Sequence, residues 1–286
     1  MADQIAVLRE MASHNKVDKN RGLRVISVTS GKGGVGKTNF TINLALALTG
    51  YGYRVIVLDG DLGMANVNVA CGLNPRFTVE HLLRGEKLIE EILLEGPGGI
   101  GILPGGYGIQ DMADLDIKQI QNVVMNFGRL EKMADFLIID TGAGIGNTVI
   151  NFLKASDDII LLTTQEPTSL TDAYGLLKTL SFNSKIPINI VINRVKTEAE
   201  ARATFQRLEI AVRKFLHGSL NLLGWVYEDP SVGKAVMNQE PVGILYPESS
   251  AYNCIQWIAG SISGRYIAAP RRKMGIKGFI SALLNA

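Results

Sequence analysis

The sequence predicts a doubly wound α/β fold, a mainly parallel sheet with helices on both faces. Three observations carry that expectation. Short runs rich in β-branched and aliphatic residues alternate with longer segments that repeat at helical spacing. Several of those runs end in Asp or Asn, and the first feeds a glycine-rich loop that opens into a helix, the arrangement of ligand sites at the carboxyl ends of parallel strands. The chain has 286 residues, 47% of them apolar, and a formal charge of +2, which suits one large globular domain.

The boundaries expected are an N-terminal helix and linker over 1–22, a main domain over 23–264 and a basic amphipathic tail over 265–286. In residues 3–12, Ile5, Leu8 and Ala12 share one helical face, and polar residues 13–22 read as a linker. Met1 to Ile5 shows no basic stretch followed by an apolar core, and no apolar run approaches the ~18 residues of a membrane span. Cys71 and Cys254 are the only cysteines, and His14, His81 and His217 are scattered. This pattern argues against a zinc site or disulfide scaffold and fits a reducing cytoplasm. A charge so near neutral gives no reason to expect DNA as a partner.

Val25 to Ser30 reads as the first strand. Gly31 to Thr38 fits G-x-x-x-x-G-K-[ST], and the helix after it carries Phe40, Leu44 and Leu48 on one face. Glycines let backbone N–H groups converge on a polyphosphate, and the helix N-terminus aims its positive end at the same place. Gly31, Lys32, Gly33, Gly34, Val35, Gly36, Lys37, Thr38 and Asn39 are therefore the candidate phosphate-binding run. Within it Lys37 neutralises the β/γ-phosphates and Thr38 holds Mg²⁺. Lys32 adds a second cation where the general pattern leaves the choice open.

Arg54 to Leu58 is a second buried strand, ending in Asp59-Gly60-Asp61. Two carboxylates one residue apart at a strand end can divide the work, one toward the metal and one toward the attacking water. Residues 78–94 carry a short helix and connector, Gly99 to Leu103 a strand, and Ile117 to Met133 a helix with Ile117, Ile120, Val124 and Phe127 near helical spacing. Asp135 to Asp140 is a central strand ending in a carboxylate that can complete a Mg²⁺ site opposite the phosphate loop. Asp158 to Thr164 follows as a strand, with a helix start at Thr168 or Ser169.

Ile188 to Val195 is the next strand. Asn193 at its end either reads adenine through one donor and one acceptor or closes a turn. Lys196 to Phe215 is a charged helix without a catalytic signal, and Leu220 to Val226 is the last strand, running into Tyr227-Glu228-Asp229-Pro230. Beyond a helix over 249–263, Arg265, Arg271, Arg272, Lys273 and Lys277 precede or enter a stripe of Ile276, Phe279, Ile280, Leu283 and Leu284 at helical spacing. Such a stripe suits either an anionic membrane interface over 270–286 or a groove on its own domain.

The run Gly-Lys-Gly-Gly-x-Gly-Lys-Thr at 31–38 resembles the deviant Walker A loop of the MinD/ParA/NifH family of P-loop ATPases. The resemblance implies Mg²⁺-dependent ATP hydrolysis and an ATP-bridged homodimer in which Lys32 crosses to the partner's nucleotide. Asp-x-Asp-Leu-Gly-x-Ala-Asn-Val from Asp59 is similar to switch I, implying that Asp61 positions the water and Asp59 supports the Mg²⁺ shell. Asp-Thr-Gly-Ala-Gly from Asp140 is similar to switch II, implying Asp140 at the metal and Gly142 as the γ-phosphate sensor. The same resemblance favours base reading by Asn193 and places Glu228 in the second nucleobase-side segment.

Gln165 to Tyr174 looks like the flagellar-number branch of this family. Asp3-Gln4 with Leu8-Arg9 resembles the DQ-x-x-x-LR element of FlhG-type regulators, which stimulates the GTPase FlhF, although Ile5 stands where that element usually has alanine. Lys277-Gly-Phe-Ile resembles the start of the MinD membrane-targeting sequence. Together these imply a cytoplasmic, reversibly membrane-associated switch that sets flagellar number or placement through an FlhF-type GTPase, basal-body proteins or a transcription regulator. Division-site MinD, a DNA-partitioning ParA and a metabolic P-loop enzyme are the alternative readings.

Overall fold

The computed structural model describes residues 22–61, 66–106, 117–180 and 186–264, together with Ile276, Phe279, Ile280 and Leu283. Asp3, Gln4, Leu8 and Arg9, residues 62–65 of the first switch, the side chains of 117–124 and the basic stretch 265–275 lie outside the described residues.

Each β-branched run forms a strand: β1 (Arg24–Ser30), β2 (Val55–Gly60), β3 (Leu94–Glu95), β4 (Gly101–Leu103), β5 (Phe136–Ala143), β6 (Asp158–Thr163), β7 (Ile188–Val195) and β8 (Asn221–Tyr227). They make one sheet in the order β3-β4-β2-β5-β1-β6-β7-β8, parallel throughout except where β3 runs against β4. β1 lies between β5 and β6, so the winding reverses at its carboxyl end, where doubly wound sheets open a ligand crevice.

The helices are α1 (Lys37–Gly50), α2 (Asn66–Ala70), α3 (Val79–Leu83), α4 (Ile89–Ile92), α5 (Ile117–Met133), α6 (Asn147–Ala155), α7 (Pro167–Leu180), α8 (Glu198–Leu216), α9 (Pro230–Met237), α10 (Val242–Leu245) and α11 (Ser250–Ile262). Strand periodicity of two sends Ile26, Val57 and Ile138 toward α1 and α11 and Val25, Ile56 and Leu137 toward the opposite layer, so both faces are dry. The sequence suggests a single stripe on α1, but every residue from Phe40 to Leu48 is buried, because the sheet covers one side and α11 and α10 the other. Leu44 is wholly enclosed, and truncating it to alanine would cost about 2–5 kcal/mol.

Local chemistry fixes the ends. Gly98 and Gly99 turn with φ of 63° and 78°, so β4 starts two residues later than the expected strand at Gly99. α7 begins at Pro167 rather than at Thr168 or Ser169, a position that suits proline because its missing N–H would be unpaired anyway. Thr197 and Ser249 cap α8 and α11 by accepting from Glu200 N–H and Tyr252 N–H, each at 3.2 Å.

The C-terminal stripe packs on its own domain. Ile276, Phe279, Ile280 and Leu283 are buried in the layer with Leu23, Val25, Leu82 and Phe152, and the Phe279 ring stacks on Phe152 of α6 with centroids 6.4 Å apart and planes 3° from parallel. Among the described residues no helix is long and apolar enough to cross a membrane.

Candidate nucleotide-binding site

The loop after β1 is shaped by its glycines, and they do different jobs. A Cβ on Gly31 would sit 2.2 Å from the Asp172 carbonyl carbon, so this glycine lets α7 press against the loop. A Cβ on Gly36 would sit 2.6 Å from Asn193 Nδ2, and Gly36 has φ of 92°. Gly33 and Gly34 face open space, Gly34 with φ of 77°. The open pair and the first N–H groups of α1, which have no intrahelical acceptor, form the concave cradle that a phosphate needs.

The cradle's floor is polar and buried. Asp140, at zero exposure, accepts from Lys37 Nζ at 3.0 Å, Thr38 Oγ1 at 2.6 Å and Thr41 Oγ1 at 3.1 Å. Sheet register sets Asp59 of β2 directly beside Asp140 of β5. Asp59 accepts from the N–H groups of Asp61 and Val67, each at 3.2 Å. Burial, and then the Asp140 charge, nevertheless push its carboxyl up to about 7. Two adjacent buried carboxylates, Asp59 and Asp140, and the Thr38 hydroxyl beside them form a hard-oxygen donor set, and this donor chemistry fits Mg²⁺.

The two switches meet over this floor. Asp61 Oδ1 lies 3.6 Å from the Cβ position of Gly142, while Asn66 Nδ2 donates to Asp61 Oδ2 at 3.1 Å. One carboxylate oxygen is thus held and the other faces switch II. Asn66 belongs to the switch I run, yet the sequence assigns it no task, because its proximity to Asp61 depends on the fold of residues between them.

Lys32 points away from the floor, donating to Glu166 Oε2 and Thr168 Oγ1 at 3.0 Å each, at the start of α7. Both partners stand more than 130 positions away in the chain, and no local signal announces them. At the loop's other flank Asn193 Nδ2 donates to Val35 O at 2.7 Å, and its Oδ1 accepts from Arg194 N–H at 3.0 Å. Glu228 N–H bonds Val195 O at 2.9 Å, which puts Glu228 beside the end of β7. Asn39 contributes its carbonyl to Asn43 Nδ2 at 2.8 Å inside α1. Asp229 caps α9: burial opposes its charge, but donors on Ser231, Ser250 and Ala251 outweigh it and hold the carboxyl at about 2. The fold therefore gathers every predicted site residue along the carboxyl edge of the sheet, and adds Asn66, Thr41, Glu166 and Thr168.

Comparison with known proteins agrees with this fold. The family model described as the CobQ/CobB/MinD/ParA nucleotide binding domain matches residues 26–242. The antiactivator FleN of Pseudomonas aeruginosa is 39% identical over 241 residues, covering 84% of this chain and 86% of that protein. The flagellum site-determining protein YlxH of Helicobacter pylori is 33% identical over 272 residues, 94% of this chain and 92% of its own length. The septum site-determining protein MinD of Pyrococcus horikoshii, solved as a complex with Mg-ADP, superposes with a TM-score of 0.67 at 26% identity over 84% of this chain and 96% of that one. The chain thus belongs to the CobQ/CobB/MinD/ParA nucleotide-binding family, and it is a P-loop ATPase that uses ATP and Mg²⁺.

Proposed function

We propose that this ATPase is a nucleotide-gated switch for flagellar number or placement, alternating between a monomer with its tail docked and an ATP-bridged homodimer that exposes the tail to an anionic membrane. The observation that carries the reading is the stack of Phe279 on Phe152. Phe152 lies on α6, which follows switch II within a few residues, so a γ-phosphate drawing Gly142 inward shifts the floor on which the tail rests. The relationship to FleN and YlxH supports the flagellar output.

The chemistry follows from the chain's own groups. ATP lays its phosphates along Gly33 to Thr38, and Lys37 turns from Asp140 to the β/γ oxygens. Thr38, Asp59 and Asp140 would hold Mg²⁺, which neutralises phosphate charge when bound. Asp61, steadied by Asn66, orients a water in line with Pγ; the water oxygen bonds phosphorus, a water proton passes to a γ-phosphoryl oxygen, the bond to the β–γ bridging oxygen breaks, and ADP and phosphate result. Lys32 leaves Glu166 and crosses to the partner's phosphates, tying hydrolysis to dimerisation. Residues 1–12, with Asp3, Gln4, Leu8 and Arg9, stimulate an FlhF-type GTPase, and basal-body proteins or a transcription regulator take the output.

Sedimentation with anionic liposomes tests the switch. Binding with ATP but not ADP, lost when residues 270–286 are removed, is the expected result; equal binding by the truncated chain rejects the tail as anchor. Deleting residues 1–12 should abolish stimulation of an FlhF-type GTPase while leaving liposome binding intact, and unchanged stimulation would reassign the output.

A further inference from the structure

We infer that Asn193 is a positioning residue for the phosphate loop, a tether that fixes the loop from two strands away. The inference rests on the reading of Gly31 to Thr38 as the nucleotide loop and adds a structural duty to a residue whose expected duty is base recognition.

Three observations point to it. Val35 anchors the loop's crest, its side chain 4% exposed within the core cluster that includes Val28 and Val191, and its carbonyl takes the Asn193 amide proton at 2.7 Å. Gly36 follows with φ of 92°, and the space where its Cβ would stand is filled by that same amide nitrogen, 2.6 Å away. Loop and amide are therefore fitted to each other, so that any side chain at Gly36 would strain the backbone and displace Asn193.

The third observation fixes which way the amide faces. Arg194, a non-glycine residue at φ of 57°, donates its N–H to Asn193 Oδ1 at 3.0 Å. An N–H needs an acceptor and the Val35 carbonyl needs a donor, so the oxygen and nitrogen of Asn193 cannot be exchanged without losing both bonds. The left-handed turn at Arg194 thus orients Asn193, which in turn holds Val35. One amide proton and one lone pair remain for a purine edge, so one side chain grips the loop and meets the base at the same time. Phosphate and base recognition are coupled through it.

Asn193→Asp and Asn193→Ala together isolate the tether, because both remove the amide donor to the Val35 carbonyl and only the first adds a negative charge. Asn193→Asp keeps the acceptor for Arg194 N–H at nearly the same volume but sets an oxygen against the Val35 carbonyl, so an effect shared with Asn193→Ala reports the lost hydrogen bond. Two measurements on the full chain decide the matter. In the absence of nucleotide, hydrogen–deuterium exchange of the peptide containing Gly31 to Thr38 should quicken about tenfold in Asn193→Asp and in Asn193→Ala, with the peptide covering β5 unchanged. Inorganic tripolyphosphate with Mg²⁺, which has no base to be read, should bind both variants about tenfold more weakly. Weakened ATP binding with unaltered loop exchange and unaltered tripolyphosphate affinity would make Asn193 a base reader only and overturn the tether. Should the wild-type chain bind neither Mg·ATP nor Mg·tripolyphosphate, the nucleotide reading falls, and loop exchange still decides the tether by itself.

Discussion

Lys37 and Lys32 leave the same loop and end in opposite surroundings. Lys37 is 8% exposed and meets Asp140 at zero exposure; Lys32 is 40% exposed and meets Glu166 at 58%. Both pairs span 3.0 Å, so distance does not separate them. Burial does. A buried pair stays matched until phosphate and Mg²⁺ supply replacement charges, because either charge alone is stranded away from water, whereas a surface pair is screened and contributes about 0–1 kcal/mol. One lysine is built into the site, and the other is held loosely enough to leave.

The sharpest way to break this contrast is to remove the fixed lysine. Lys37→Ala should destabilise the nucleotide-free chain by about 3–5 kcal/mol in urea unfolding, since Asp140 loses its cation, and should abolish turnover. A loss below about 1 kcal/mol would show that the buried pair behaves like the surface one. Next comes Asp61→Ala, which touches neither lysine: turnover should fall on the order of 10²-fold with ATP affinity retained and the ATP dimer accumulating on a sizing column. Normal turnover would remove Asp61 from the water.

The buried floor has its own pH signature. Asp59 has a folded-state value raised to about 7, above that of an unfolded aspartate, so without Mg²⁺ its ionisation opposes folding. Its contribution to stability is greatest below about pH 4 and declines as pH climbs to 7. Mg²⁺ has to displace that proton. Its affinity should fall toward tenfold per unit of pH below 7, with about half a proton released at pH 7, readable by calorimetry in buffers of different ionisation enthalpy. The smallest effect is expected at the loose end: Glu166→Gln should change stability by less than about 1 kcal/mol while strengthening ATP-dependent dimerisation less than about fivefold. A variant that dimerises more weakly would mean that Glu166 assists Lys32 in the dimer rather than holding it back.

Much of this site can be read from the chain because its residues are grouped in short motifs. Gly31 to Thr38, Asp59 with Asp61, and Asp140 each end a β-branched run, and parallel strands carry all such ends to one edge. Asn193 is legible as a polar strand end, but its hold on Val35 depends on register across three strands and has no pattern in sequence. The partners of Lys32 are hidden for the same reason. Short helices such as α6 and α10 lack the length to show a period, and the full burial of α1 reflects helices α10 and α11, which come from the far end of the chain. The stripe at Ile276 to Leu283 illustrates a different limit: a lipid surface and a protein groove both ask for the same apolar spacing.

Docking of that stripe has an energetic corollary. Burying Ile276, Phe279, Ile280 and Leu283 stabilises by about 1.5–3 kcal/mol per side chain, and their removal would also bare Phe152 and its neighbours. Nucleotide alone would have to meet that whole cost in water, and lipid alone would have to extract seated side chains. Supplied together, each lowers what the other must overcome. Under the switch proposed above, such an element would act as a coincidence detector, an AND gate that stays silent in an ATP-rich cell until a suitable membrane is within reach.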